Sequence, residues 1–576
     1  MRKGSFKDIN LKIIKKKREH NKRVILLWIA LFVVFSVFIY RTYDLQINQK
    51  EAYSKYFDEI RMRRIEIPAY RGNIYDRNGK LLAYTTVNRY IDISESFKGI
   101  YGSNRTDLID DISLMTGIST IDITDAYNKN EDIKIRPDLS VTNPLIKIIY
   151  NFERKYQFEG SLSHIVGYVN RDLQGVAGIE KSFEDTLNGI PGIQQVEVDS
   201  ITRQLQNTWL RKPQKGQDIY LSVDYDLQKY IETLLNEFEN PAVGIVTRPK
   251  TGEVLALVSK PYYESYEMSE SIPVEKWNNI VSNEDKVFLD RAISARYNPG
   301  SLIKPFMAIC AIGGKEKTTY DFITGRVFCE GSFSLYSNDG TTEYKYNDWV
   351  STGHGTVTLF EAIKKSCNVY FYNAGLEMGI DYLKSVSDTI GLDKLSNIQI
   401  PGEVEGIYPS RYWKKEFTGE NWYLGDTVLS SIGQGYVQLT PIELVKLFEL
   451  IALEGKKNDS FITANPFTIP QTYLSLPESH WTYLKYAMNA GASQSGGTAY
   501  PVFKDSEYKT RLASKTGTAE TGEDGVYNAF FGGIYPFDDP EYCVLVLVEK
   551  GGYGGDAAAP IAKEIFDYLL LGSDDK

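Results

Sequence analysis

The stretch Tyr297-Asn298-Pro299-Gly300-Ser301-Leu302-Ile303-Lys304-Pro305, continued by FMAICAI to residue 312, decides how the C-terminal half is read. Asn-Pro-Gly is a turn signal, and the apolar run after it predicts a buried helix that begins near Ser301. A serine in a first helical turn shares a face with the residue three positions on. The Lys304 amine can therefore approach the Ser301 hydroxyl and, if desolvated beside other cations, take its proton. Pro305 is tolerated because it lies at the helix start. One S-x-x-K alone carries little weight, since roughly two are expected by chance in a chain this long. Ser506 to Lys509 is such a decoy.

Two more short motifs follow in order. Ser366 and Asn368 flank Cys367, and in an extended or turn backbone both side chains can face one cleft. The hydroxyl there can relay a proton and the amide can bind a substrate carbonyl. Lys515-Thr516-Gly517 lies in the strand candidate RLASKTGTAE. Lys515 can offer an ammonium to a substrate carboxylate, and Gly517 removes a side chain where an extended peptide would approach the strand edge. The three motifs together match the acyl-serine transferase set.

The surrounding pattern gives them a scaffold. From Gly216 the chain reads as a strand running into an amphipathic helix, then as a hairpin, AVGIVTRPKTGEVLALVS, turning at Lys250-Thr251-Gly252. RLASKTGTAE, VYNAFFGGIYP and EYCVLVLVEK have the spacing of an antiparallel meander, and AAAPIAKEIFDYLLLG has helical spacing that can pack on a sheet. An α+β unit over 216–576 follows, with a mostly antiparallel sheet and an inserted helical subdomain. Residues 41–60 are expected to continue as helix, and the segment from about 62 to 215 mixes strand and helix patterns without a catalytic signature. At 576 residues, two or more folded units are expected.

The N-terminus reads differently. Ten of the 65 Lys and Arg residues fall within the first 23 positions, opposed only by Asp8 and Glu19, so the rest is more acidic than the net charge of −10 suggests. An acidic body excludes a nucleic-acid binder, which needs clustered cations to neutralise phosphates. Val24 to Tyr40 is free of charge and just long enough to span a bilayer. The reading is one transmembrane helix with residues 1–23 in the cytoplasm and the bulk outside. A cleaved signal peptide competes with it but lacks a small-residue cleavage site before RTYDLQ.

From about residue 62 to the C-terminus the chain resembles the class B penicillin-binding proteins. The resemblance rests on the three motifs and on RGNIYDRNG, HIVGYV, GIEKSFEDTLNGIPG, YNPGSLIKP, GDTVLSSIGQGYVQLTP, SKTGTAE and NAFFGGIYP, in the family's order. It implies a non-catalytic, dimerisation-type pedestal over 41–215 and a serine β-lactamase/transpeptidase-like domain over 216–576. The implied activity is a peptidoglycan DD-transpeptidase acting on stem peptides that end in D-Ala-D-Ala and acylated by β-lactams. Ser301 would be the nucleophile, Lys304 the base and Ser366 the proton shuttle, with Asn368 beside them. Lys515, Thr516 and Thr518, with Gly517 between them, would hold the donor carboxylate, and the backbone N–H groups of Ser301 and Thr518 would form the oxyanion hole. The chemistry needs no cofactor. No glycosyltransferase domain fits in 41–215, so the family implies a SEDS-type membrane glycosyltransferase as partner. GDTVLSSIGQGYVQLTP and the Gly353-His354-Gly355 turn favour the elongation type over the division type. A DD-carboxypeptidase or β-lactamase lacks a recognisable deacylating base here, and a β-lactam sensor would need a larger cytoplasmic part. Asp290 stands where the family more often has Asn.

Between the first two motifs lie Cys329, Asp348, His354 and Cys367, residue types that bind Zn²⁺ tetrahedrally, though at long and irregular spacings. Some elongation-type relatives resemble this pattern with an Asp, a His and a Cys, and Cys329 replaces an acidic ligand there. The expectation is a structural zinc, with a Cys329–Cys367 disulfide or unpaired residues near a cleft as the competing readings. Cys310 and Cys543 sit in apolar runs and read as buried hydrophobes, and His164 as a structural histidine.

Overall fold

The computed structural model describes residues 6–53, 62–136, 138–141, 143, 145–198, 204–269, 272–314, 321–337, 340–464 and 469–572. Helix α1 (Phe6–Tyr43) contains the whole charge-free run, and a helical turn over Asp44–Asn48 extends it. The span Asn21–Asn48 is long and apolar enough to cross a membrane, and none of its apolar window is buried. The expected continuation of helix over residues 54–60 lies outside the described residues.

The chain packs as two compact units that alternate along the sequence. One comprises Met1–Pro68, Asn88–Asn151 and Pro191–Pro213. It holds an antiparallel three-stranded sheet in which Gly192–Val198 lies between Met62–Ile67 and Gln204–Arg211. Its core is built by Ile91, Ile112, Ile123 and their neighbours. Two helices, Ser103–Thr116 and Thr120–Lys129, supply much of it. The first stops at Gly117, and Ser119 starts the second by accepting the N–H of Asp122.

The other unit comprises Ala69–Val87, Phe152–Ile190 and Gln214–Lys576. Helix α2 (Tyr225–Asn236) precedes the hairpin β1 (Ala242–Arg248) and β2 (Glu253–Lys260). Helices α3 (Lys304–Gly313) and α4 (Asn368–Met378) belong to the inserted helical part. The meander β3 (Ala513–Glu520), β4 (Tyr527–Tyr535) and β5 (Tyr542–Val548) follows, and α5 (Ala558–Leu571) closes the chain. The strand order is β2-β1-β5-β4-β3, antiparallel throughout.

Both faces of this sheet are covered, which explains strands that are apolar at nearly every position. Val243, Ile245, Leu545 and Leu547 point into the core shared with α3, while Val246, Val544 and Val546 point to the core shared with α2 and α5. Helix α3 is buried all round, as its uninterrupted apolar sequence requires. Strand β3 is last in the order, so one of its edges carries no strand.

Two sequence landmarks meet in a buried ion cluster within this unit. Glu180 of the GIEK segment receives Arg71 Nε of the RGN segment at 2.5 Å and Arg154 Nε at 2.7 Å. All three side chains are inaccessible to solvent. His164 is buried too, stacked edge-on against Tyr263 with Nε2 facing the Pro261 carbonyl, in keeping with a structural role.

Candidate functional site

The segment around Ser301 is held between two backbones. Asn298 donates its side-chain amide to the carbonyls of Gly435 and Val437 at 3.1 and 2.6 Å, and Gly300 N–H bonds the Gly433 carbonyl. Gly300 has φ of 54°, and a Cβ there would come within 2.6 Å of the Thr518 carbonyl of β3. Only glycine combines that conformation with that closeness. A single 3₁₀ turn, Gly300–Ile303, then carries Ser301, and the α-helix proper starts at Lys304 with Pro305 in its first turn. Leu302 and Ile303 are fully buried, which fixes the turn, while Ser301 is partly exposed.

Lys304, Ser366, Asn368 and Lys515 meet in one buried cluster. Lys304 Nζ donates to the Ser366 carbonyl at 2.7 Å, to Asn368 Oδ1 at 2.6 Å and to Ser366 Oγ at 3.2 Å. Lys515 Nζ donates to the same Ser366 Oγ at 2.9 Å and to the Thr516 carbonyl at 2.8 Å. One hydroxyl thus bridges two lysines. Ser366 achieves this from the left-handed region, φ 58°, closing the helix Leu359–Lys365 before Cys367 turns the chain into α4. A strained residue whose carbonyl and hydroxyl both face the cluster fits the tendency of strain to concentrate at functional sites. Burial pushes the Lys304 ammonium down to about 8, against the opposing pull of Asp348 and Cys367. Burial, and then the neighbouring Lys304, hold Lys515 well below its ordinary range.

Three details differ from the simplest sequence reading. The Ser301 hydroxyl makes no hydrogen bond among the described residues, because the Lys304 ammonium is engaged by Ser366 and Asn368 instead. Lys515 is only 2% exposed and spends its protons inside the cluster, so it does not project freely toward a ligand. The room that Gly517 leaves is filled by the protein itself: a Cβ there would meet Leu302 Cδ1 at 2.5 Å and Phe530 Cβ at 3.1 Å. Gly517 lets the Ser301 turn close onto β3. No sequence signal marks Thr498, whose Oγ1 accepts the Thr516 hydroxyl at 2.7 Å. Thr518 Oγ1 accepts the Gly554 N–H, so its own proton remains available.

Cys329, Asp348, His354 and Cys367 converge, with all four donor atoms within 4.8 Å of one another. Cys329 Sγ lies 3.5 Å from Asp348 Oδ2 and 3.7 Å from His354 Nδ1. Cys367 Sγ is 3.4 Å from Asp348 Oδ2, and His354 Nδ1 is 3.5 Å from Asp348 Oδ1. Metal–ligand bonds of about 2.0–2.3 Å at tetrahedral angles put neighbouring donors about 3.6 Å apart, and the four separations above lie near that value, so these residues form a cluster that could hold a metal ion. The cysteines are free thiols, not a Cys329–Cys367 disulfide. Burial and the adjacent Asp348 carboxylate push the Cys367 thiol up, the crowding of acidic donors that a cation relieves. Cys310 and Cys543 are buried in the apolar core, as expected.

Comparison with known proteins finds relatives of this chain. The description of the penicillin-binding protein transpeptidase domain matches residues 242–567, and that of the penicillin-binding protein dimerisation domain matches residues 66–221. The peptidoglycan D,D-transpeptidase MrdA of Acinetobacter baumannii is 30% identical, over 94% of this chain and 86% of that protein. The crystal structure of Pseudomonas aeruginosa PBP2 in complex with WCK 5153 is similar at a TM-score of 0.66 and 28% identity, covering 88% of this chain and 98% of the other. A chain solved in a study of the structural coordination of polymerization and crosslinking by a peptidoglycan synthase complex is 25% identical at a TM-score of 0.69, covering 95% and 99%.

Proposed function

The chain belongs to the elongation-type class B penicillin-binding proteins and is a serine-type peptidoglycan D,D-transpeptidase, and from that premise we propose how its residues divide the reaction. Ser301 Oγ attacks the carbonyl of the penultimate D-Ala of a donor stem peptide, and its proton passes to neutral Lys304. The negative charge that develops on the carbonyl oxygen is met by the backbone N–H groups of Ser301 and Thr518. Ser366 relays a proton to the amine of the departing D-Ala, the C–N bond breaks, and an acyl-serine remains. An acceptor amine then attacks that ester, gives up a proton along the same path and restores Ser301. A β-lactam forms the same ester.

The observation that carries this reading is the Ser366 hydroxyl suspended between Lys304 at 3.2 Å and Lys515 at 2.9 Å, a ready-made proton path. Lys304 must break its contact with Asn368 and swing toward Ser301 when substrate binds, the tightening that ligand-free sites commonly show. Thr518 holds the donor carboxylate with its hydroxyl, Thr516 joins it when its proton turns away from Thr498, and Lys515 acts behind them by orienting Ser366. The experiment is intact mass after incubation with a labelled penicillin, followed by peptide mapping. One adduct on Ser301 supports the assignment, and an adduct on Ser506 or none overturns it.

Residues 41–215 serve as the non-catalytic pedestal, and α1 crosses the cytoplasmic membrane once with its basic end inside, as its cationic flank favours. Strand polymerisation falls to a SEDS-type membrane glycosyltransferase in complex with this chain, a reading supported by the likeness to a chain of a peptidoglycan synthase complex. Acyl transfer uses no cofactor. Cys329, Asp348, His354 and Cys367 would hold a structural zinc ion, whose part is to fix the loop that presents Ser366 and Asn368.

A further inference from the structure

An aromatic ridge adjoins the catalytic cleft and has no part in the acyl transfer. It is built on the helix Arg411–Thr418 and the turn after it. Tyr412, Phe417 and Tyr423 are 76%, 72% and 63% exposed, an unusual concentration of bare rings. They are held rigidly all the same. Trp413 stacks on Phe417 with ring centroids 5.3 Å apart and also meets Tyr436 at 5.5 Å. Beneath them Lys414, 2% exposed, pairs with Asp426 at 2.7 Å and lies over the rings of Tyr423 and Tyr436. A buried lysine fastened by a carboxylate and two rings orders the ridge for a purpose that core packing does not explain.

The ridge is tied to both sides of the cleft. Tyr436 sits between the two carbonyls that hold Asn298, three residues before Ser301. On the other side Tyr346 places its hydroxyl against Gly425, where a Cβ would lie 2.4 Å away. Its neighbour Asn347 accepts the Asn368 side-chain amide at 3.4 Å. The Tyr436 Cα is thereby at most about 20 Å from the Ser301 Cα along the backbone and one side chain. An extended four-residue peptide spans about 14 Å and the sugar it hangs from adds its own width, so the ridge is within reach of a sugar whose donor stem ends at Ser301.

We propose that this ridge is a subsite for the glycan strand of the substrate. The chemistry suits an N-acetylated polysaccharide: flat ring faces pack against the C–H faces of pyranose rings, and the exposed Glu416, Glu420 and Asn421 offer hydrogen bonds to hydroxyl and acetamido groups. The inference rests on the transpeptidase reading. It goes beyond that reading by assigning recognition of the strand, as well as of the peptide, to this chain.

The test uses the full-length protein in detergent and, as probe, peptide-free oligosaccharides of alternating β-1,4-linked N-acetylglucosamine and N-acetylmuramic acid. Wild type should bind them saturably, and Phe417→Ala and Tyr423→Ala should each weaken binding about threefold to tenfold. Phe417→Trp should retain it. The same alanine variants should lose kcat/KM on glycan-linked donors while acylation of Ser301 by penicillin stays within about twofold of wild type. Absence of saturable binding to wild type, or binding indifferent to both alanine changes, overturns the proposal and leaves the ridge to a protein partner. Slowed penicillin acylation in the ridge variants overturns it as well, because it would reveal a structural support of the cleft. Failure of penicillin to acylate Ser301 in wild type would instead strike the catalytic assignment, so the two ideas fail separately.

Discussion

Asp348 Oδ2 accepts the backbone N–H of Asn368 at 2.8 Å, so one carboxylate belongs both to the Cys-His-Cys cluster and to the first turn of the helix that presents a catalytic amide. The same oxygen accepts the Val369 N–H at 3.2 Å. A group that caps α4 while facing three metal-type donors couples the order of the cluster to the position of Asn368. Cys367→Ser should therefore lower the melting temperature and slow acylation together, although it removes no group that touches substrate. A chelator should reproduce both effects in wild type and leave the variant unchanged. Elemental analysis showing well under one zinc per chain in reduced protein would end this account.

Acylation should depend on pH in one direction. Burial pushes Lys304 down to about 8, so the neutral base is a minor species at pH 7 and dominant above pH 9. The rate of acylation by a chromogenic cephalosporin should rise about tenfold per pH unit below pH 8 and level off above it. Lys304 and Lys515 are near enough that the midpoint belongs to the pair. A flat profile from pH 6 to pH 9 would remove Lys304 from the role of base.

Lys304→Ala and Lys515→Ala should both suppress acylation, by about a hundredfold or more for the loss of the base. The patterns should differ. Lys304→Ala should lower the acylation rate constant with little change in initial binding. Lys515→Ala releases Ser366 and the Thr516 carbonyl, so it should lower the rate and weaken initial binding together. Stopped-flow kinetics over a range of penicillin concentrations separate the two, and identical patterns would contradict the division of roles.

Local rules made the outline legible. The order Ser301-x-x-Lys304, Ser366-x-Asn368, Lys515-Thr516-Gly517 pointed to the chemistry, and apolar runs separated by short turns along 242–260 and 513–548 pointed to the sheet. What stayed hidden was set by contacts between segments remote in sequence. Nothing local says that Lys515 will be buried against Ser366, 149 positions away, or that Gly517 must be bare because Leu302 packs on it. Thr498 carries no motif, Tyr436 lies in GDTVLSSIGQGYVQLTP without any local sign of what it touches, and the neighbourhoods of both exist only once the loops meet. The metal-type donors were suggested by residue type, and their convergence needed the fold.

Glu180 should be a point of fragility far from the reaction. Its carboxylate is the shared partner of two buried guanidinium groups, Arg71 and Arg154. Glu180→Ala strands both, and breaking a buried pair by removing one member costs about 3–5 kcal/mol. The expected result is early urea unfolding by pulse proteolysis or failure to accumulate. An unchanged unfolding midpoint would show that Glu184, 2.8 Å from Arg71, and neighbouring carbonyls suffice.

Asp290 supplies the opposite case, a residue whose replacement should stabilise the protein. It is 7% exposed, its Oδ1 accepts the Ala292 N–H at 3.0 Å, and its Oδ2 is buried without a partner among the described residues. Burial raises this carboxyl above its ordinary value of 3.8, opposed by the charge of nearby His164. A carboxyl that holds its proton more tightly when folded contributes its stability at low pH. That contribution is lost as pH rises from the ordinary value through the folded one. Asn keeps the acceptor for Ala292 and never ionises, so Asp290→Asn should match wild type near pH 4 and exceed it at neutral pH by about 1–3 kcal/mol, the cost of an unsatisfied buried group. The gap should open with rising pH and then level. Burial pushes His164 down and the Asp290 charge opposes that, so the difference between the two melting curves from pH 5 to pH 8 reads the carboxyl together with its effect on His164. Parallel curves, or a variant less stable throughout, would mean that the Asp290 carboxylate is satisfied at neutral pH and that Asp at this position carries no penalty.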